Sequence, residues 1–222
     1  MKHIKPYKIF ESNSPNFPTT REEVIQVCKR YDIKNYTISD DLSIDVDGNV
    51  NLTSNGLEYL PLKFNYVGGG FSCSNNRLKT LEGGPQTVNG NFYCNNNKLE
   101  TLEDCPQTVN GNFNCHSNLL KTLEGGLQTV GGYFYCTDNK LKDLEYFPEV
   151  NGNVYMRGNL VNLLVYTFIK KADSFMIEDF IDYEIVRNRD TVMLDRLQTF
   201  IRDNDLEMPD LEDIKKHYKI IE

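Results

Sequence analysis

The chain has 222 residues, enough for one or two domains, with 39% hydrophobic and 25% charged residues and a formal net charge of −8. That balance argues against a general nucleic-acid binder, whose affinity rests on neutralising phosphates with a basic surplus. The most apolar late run, LVNLLVYTFI at 160–169, is too short to span a bilayer. The opening MKHIKPYKIFESNSP has no apolar stretch of the secretory kind. A soluble, cytoplasmic chain with no membrane partner is expected.

Residues 1–18 contain Pro6, Pro15 and Pro18 among several Asn and Ser, which predicts an extended or disordered tail. Residues 19–47 read as a helix followed by a strand. In TTREEVIQVCKRYDI, Thr19 or Thr20 can cap, Glu22 and Glu23 favour the helix dipole, and Val24, Val27, Cys28 and Tyr31 form one stripe. LSIDVDGNVNL then alternates around Asp47-Gly48 as a hairpin, with strand 43–46 expected to pair with the first coil and seal its edge.

From 48 to 164 the chain repeats itself. Residues 71–91 read FSCSNNRLKTLEGGPQTVNGN and residues 92–112 read FYCNNNKLETLEDCPQTVNGN. Phe71, Phe92, Phe113 and Phe134 are 21 residues apart, and Val50, 21 before Phe71, and Val154, 20 after Phe134, extend the series to six coils. Two residues after them stand Leu52, Cys73, Cys94, Cys115, Cys136 and Met156. The five-on column is uniformly asparagine: Asn55, Asn76, Asn97, Asn118, Asn139 and Asn159. Leu57, Leu78, Leu99, Leu120, Leu141 and Val161 follow, then Leu60, Leu81, Leu102, Leu123, Leu144 and Leu164.

Positions two apart share one face of a strand, so the Phe and Cys columns predict short parallel strands with a buried inner side. An amide both donates and accepts, so the asparagines predict a structural ladder joining each coil to its neighbour. Asp47-Gly48, Gly68-Gly69, Asn89-Gly90, Asn110-Gly111, Gly131-Gly132 and Asn151-Gly152 predict turns, being types that tolerate positive φ. The return path, with its prolines and the Val at 67, 88, 109, 130 and 150, reads as extended or turn-like.

The pattern of Phe or Val, Cys, Asn, Leu and Leu at these offsets resembles the leucine-rich repeat (LRR) superfamily over residues 50–164. Its subtype is similar to short LRR proteins encoded by bacteriophages and some bacteria. The resemblance implies an α/β solenoid: a right-handed coil with a parallel sheet of about six strands on the concave face. An N-terminal helix-hairpin cap and a C-terminal helical cap would close it. It also implies a place in the host cytoplasm if the chain is phage-encoded.

A thiol in a buried row beside phenylalanines is best read as apolar packing, because Leu52 and Met156 occupy the same column. A straight row does not offer zinc its tetrahedron, and a reducing compartment disfavours disulfides. No metal or cofactor is expected. No H-E-x-x-H, P-loop or G-x-S-x-G motif occurs. The three histidines, His3, His116 and His217, are scattered, and Asp45-Val46-Asp47-Gly48 begins a calcium loop without continuing it. No catalytic residue is assigned, and the chain is not expected to be an enzyme.

Residues 165–222 predict a helical region, with helices at 160–171, at 175–188 after Ser174, from Asp190 or Thr191 through VMLDRLQTFIRDN, and from Pro209-Asp210 to Tyr218. This region holds 9 basic and 14 acidic residues, against 8 and 10 in 48–164. It can be a cap or a second binding module.

The partner-binding residues are expected on the outward side of the sheet. They are Tyr93, Asn95, Asn114, His116, Tyr133, Tyr135, Tyr155 and Arg157, with Arg77 and Lys98 just past the asparagines. Tyr and Arg are enriched at interface hot spots and Asn bonds adaptably. The function this implies is a non-enzymatic protein–protein interaction module binding a host or viral protein through the concave face, as a phage-encoded modulator of a host factor. The alternative is a structural component that self-associates through the C-terminal tail.

Overall fold

A computed structural model describes residues 15–141, 146–156, 158–159, 183, 185–187, 191–215 and 219–222. The predicted tail up to 14, the helix at 160–171, most of that at 175–188, and Arg157, Val161, Leu144, Leu164 and His217 lie outside the described residues.

The chain between 36 and 155 is a solenoid of stacked coils, and each coil contributes a short strand to each of two sheets. One sheet has six strands: β3 (Val50–Asn51), β5 (Phe71–Ser72), β7 (Phe92–Tyr93), β9 (Phe113–Asn114), β11 (Phe134–Tyr135) and β13 (Val154–Tyr155). All its neighbours are parallel and in register, Phe71 opposite Phe92 and Phe92 opposite Phe113. The expected six-strand parallel sheet is therefore present.

The return path forms the second sheet. It contains β2 (Ile44–Val46), β4 (Phe64–Val67), β6 (Thr87–Val88), β8 (Thr108–Val109), β10 (Thr129–Val130) and β12 (Glu149–Val150), parallel throughout. β1 (Tyr36–Ile38) is added antiparallel at its edge, making seven strands. The hairpin predicted around Asp47-Gly48 is therefore not formed. β2 and β3 lie in different sheets, and the Asp-Gly pair turns the chain from one to the other. The antiparallel partner of β2 is β1, with Tyr36 opposite Val46.

The core fills the space between the sheets. Phe71, Phe92, Phe113 and Phe134 stack with ring centroids 5.4, 5.3 and 5.7 Å apart. Phe64 and Phe147 close the stack edge-on at 5.1 and 5.6 Å. Cys73, Cys94, Cys115 and Cys136 are buried with it, as are Val67, Val88, Val109 and Val130 and the leucines from Leu60 to Leu141 of the two Leu columns, while Leu57 is half-buried.

The asparagine ladder joins the coils. Asn118 Nδ2 donates to the carbonyls of Cys94, one coil back, at 3.1 Å and of Cys115, in its own coil, at 3.0 Å. Its Oδ1 accepts from the Leu99 N–H at 3.0 Å. Asn76, Asn97, Asn139 and Asn159 repeat the pattern. Asn55, with no coil before it, reaches only the Thr53 carbonyl, at 3.1 Å.

The corner glycines owe their identity to close approach and not, as the sequence suggested, to positive φ. Of these corners only Gly48 has φ in that region, at 149°. The Gly90 N–H donates to the Gly69 carbonyl at 2.9 Å, and a Cβ on Gly90 would lie 2.8 Å from the Gly69 carbonyl carbon. Positive φ falls instead at Ser54, Asn75, Asn96, Ser117, Asp138 and Gly158, where each coil leaves the six-stranded sheet, a step that favours small polar residues and glycine.

Helix α1 (Arg21–Arg30) starts at Thr20, whose Oγ accepts from the Glu23 N–H at 3.2 Å. The Glu23 carboxylate accepts in return from the Thr19 N–H at 2.8 Å, as in a capping box shifted by one residue. Val24 and Cys28 are fully buried. The C-terminal region is not purely helical. Val186–Arg187, Thr191–Met193 and Lys219–Ile221 (β14, β15 and β16) form a three-stranded sheet, with helices α2 (Leu194–Asp203) and α3 (Leu211–Lys215). The helix expected from Asp190 or Thr191 starts later, at Leu194. Its N-cap is Met193, which makes no side-chain cap bond, because Thr191 and Val192 belong to a strand. Its predicted stripe does bury Leu197, Phe200 and Ile201.

Candidate interaction face

Each strand of the six-stranded sheet buries its Phe and Cys positions, so the residue between them faces outward. That column reads Asn51, Ser72, Tyr93, Asn114, Tyr135 and Tyr155. Register places Tyr135 between Asn114 and Tyr155. The Tyr135 and Tyr155 rings stack, 4.7 Å between centroids and 4° from parallel. Tyr133 stands edge-on to both, at 6.2 and 6.4 Å, and is 42% exposed. The Tyr135 hydroxyl is held above the ordinary tyrosine pKa, first by desolvation and then by repulsion from ionised Tyr155, Tyr133 and Tyr93. The structure thus gathers Tyr133, Tyr135 and Tyr155 into one cluster, with Tyr93 close enough to be felt.

The other end of the face is a hydroxyl and amide chain of Thr53, Ser72, Ser74 and Asn95, of which only Asn95 is among the expected partner-binding residues. Thr53 Oγ1 and Ser72 Oγ are 2.7 Å apart, Ser72 Oγ donates to Ser74 Oγ at 3.3 Å, and Ser74 Oγ donates to Asn95 Oδ1 at 2.7 Å. Asn114 Oδ1 accepts from the His116 N–H at 3.1 Å, and His116 Nδ1 lies 2.9 Å from Ser117 Oγ. Asn95 and Asn114 are therefore partly engaged within the sheet. Asn49, Asn91 and Asn112, on the flanking column, accept from the N–H of Gly70, Asn112 and Tyr133 at 2.7–2.8 Å. They form a second ladder. Its signal in the sequence is the recurrence of Asn just before the strand.

Arg77 and Lys98 are exposed one turn past the strands, as is Lys140. Their N–H groups donate to Leu57, Leu78 and Leu120 of the preceding coil at 2.8 Å, which fixes the spacing at which the side chains leave the backbone. Arg157 lies outside the described residues.

All six cysteines are buried free thiols. Burial pushes Cys73 and Cys105 up to about 12 and raises Cys94, Cys115 and Cys136 as well, so the reactive thiolate is disfavoured. Among the described residues no group of three or more His, Cys, Asp or Glu is placed to hold a metal ion. No helix among them is long and apolar enough to cross a membrane.

No protein-family model, curated protein or solved structure matches the chain. The architecture defines its class as a repeat solenoid of stacked parallel strands.

Proposed function

We propose that the protein is a non-enzymatic binding module that grips a protein partner on the outward face of its six-stranded sheet. The observation that carries this reading is the cluster of Tyr133, Tyr135 and Tyr155, held against one another on in-register strands. Rigid aromatic side chains give contact area at low entropic cost. A parallel sheet on a bonded backbone presents them already ordered, which removes part of the cost of association. The sequence resemblance supports a leucine-rich repeat in which this face is concave and the coil right-handed. It also supports a phage-encoded modulator of a host factor, acting in the host cytoplasm without nucleic acid or membrane. α1 with the β1–β2 hairpin serves as the N-terminal cap, and the C-terminal region closes the other end.

The test is affinity capture from native lysate with the wild-type chain and with Tyr93→Ala, Tyr135→Ala and Tyr155→Ala combined. The triple variant should keep the wild-type circular dichroism spectrum and lose the captured protein. Capture undiminished by the triple variant refutes the reading.

A further inference from the structure

The charge on the solenoid is sorted. No Asp or Glu occupies a described position in the three outward columns of the six-stranded sheet, from Asn49 to Tyr155, although the chain as a whole carries −8. Most exposed acids of the coils, Glu82, Glu103, Asp104, Glu124 and Glu149, lie on the return path, while Glu58 and Glu100 stand nearer the sheet in the same column as Lys121. Asp47, at the corner before Asn49, and Asp138, at the turn that leaves the sheet, come nearest to those columns. Along the same border run Arg77, Lys98 and Lys140, all exposed, and among the described residues none of the three has an ion-pair partner. Two residues further along the chain, Lys79 is also exposed and Lys121 pairs with Glu100 at 2.6 Å. Five residues of chain separate each border cation from the outward column, a reach of at most about 18 Å.

Arg77 and Lys98 stand on adjacent coils about 4.8 Å apart and repel one another, and Lys140 follows two coils on, past Leu119. A row of cations without ion pairs among the described residues, beside half-buried tyrosines and described outward columns free of acids, fits an anionic occupant. A single-stranded nucleic acid would also meet rings and cations. Against it, stacking platforms for bases need free ring faces, and Tyr135 and Tyr155 turn one face each toward the other. The overall charge of −8 also repels a long polyanion, whereas a short acidic segment feels mainly the local stripe.

We infer that the occupant of this face is an acidic, extended peptide segment of a partner protein. Its carboxylates meet Arg77, Lys98 and Lys140, and its intervening apolar side chains meet Tyr93, Tyr135 and Tyr155. From the Arg77 coil to the Lys140 coil is three steps, roughly 14 Å, which four or five extended residues cover. Alternate side chains of such a strand point opposite ways, so an acidic/apolar alternation serves both rows. This inference rests on the binding reading above.

The probe is a fluorescent peptide of about 12 residues alternating Glu and Pro, extended by its prolines, titrated by anisotropy. The counterparts are a Lys-Pro peptide and oligothymidine of similar length. The Glu-Pro peptide should bind saturably and the Lys-Pro peptide should not. Binding should weaken several-fold as salt rises from about 50 to about 500 mM. Reversing Arg77, Lys98 and Lys140 together to Glu should weaken it at least about tenfold, each exposed pair carrying a factor of about 1.5–5. The Gln triple should fall between, with unchanged circular dichroism in both. Absence of Glu-Pro binding, equal Lys-Pro binding, indifference to charge reversal, or tighter binding of oligothymidine overturns the inference. Capture of the native partner separates the two readings. If the tyrosine triple abolishes capture and the charge-reversed chain retains it, the binding face stands and the acidic occupant falls.

Discussion

The asparagine column makes a sharp demand on single side chains. Asn118→Ala orphans the buried Leu99 N–H and takes one of two bonds from each of the Cys94 and Cys115 carbonyls, which keep Asn97 and Asn139 as donors. Unsatisfied buried groups retain their desolvation cost, so a loss of about 2–4 kcal/mol is expected by urea unfolding. Asn55→Ala removes one exposed bond and should cost less than about 1 kcal/mol. Equal losses at the two positions would show that the column acts by something other than bridging coils. The thiols impose a pH dependence of defined sign. Their folded pKa values are raised above the ordinary 9.0, so the unfolded chain loses its protons first as pH rises. Stability is complete below pH 9 and falls between 9 and about 12 for Cys73 and Cys105, by up to about 1.4 kcal/mol per pH unit for each thiol. Cys73→Ala should be less stable at pH 7, for lost packing, yet decline less steeply above pH 9. A parallel decline would assign the alkaline loss to other groups.

Among the elements, the inter-sheet corner is the tightest. A Cβ on Gly111 would lie 2.8 Å from the Gly90 carbonyl carbon, and the Gly111 N–H bonds the Gly90 carbonyl at 3.1 Å. Gly111→Ala must therefore move one coil against the next, and about 1–3 kcal/mol of stability should be lost in thermal unfolding. Asn110→Ala, at the exposed residue before it, should stay within about 0.5 kcal/mol. These corners show what could be read from the sequence. The inner strand was legible because its Phe and Cys positions are buried and repeat strictly. The ladder was legible because only an amide both donates and accepts. The second sheet was hidden: Thr87-Val88 is two residues long, and its hydrogen-bond partners are 21 residues away in each direction. Asp47-Gly48 misled for the same reason, since a hairpin and a solenoid corner share their local residues and differ only in where the next strand pairs. The strands Thr191–Met193 and Lys219–Ile221 are too short to show alternation and are joined across 25 intervening residues in the chain. The tyrosine column was visible, but the Tyr135–Tyr155 stacking depends on side-chain angles that no spacing encodes.

For the molecule as a whole, in-register repetition makes the solenoid nearly one-dimensional, each coil bonded to its two neighbours. Its length should then be adjustable in whole coils. Removing residues 92–112 takes out 21 residues, one full period. Phe71 would then face Phe113, Cys73 would face Cys115, and Asn118 would bond Cys73 and Cys115 as Asn97 does now. The shortened chain should fold cooperatively with a lower melting temperature, because one coil–coil interface is lost while the two ends remain. Removing 92–111 instead leaves Asn112 where Phe113 should stand. In that register Phe113 points outward and Asn114 into the core, and restoring the native one requires Asn112 to bulge at the tight glycine corner. Later coils keep their register, as the native 20-residue coil from Phe134 to Val154 does, so the cost is local. Circular dichroism melts of the two deletions provide the measurement. A higher melting temperature for the 21-residue deletion than for the 20-residue one follows from nearest-neighbour stacking. Equal behaviour of the two would mean that the coils are held by something other than register.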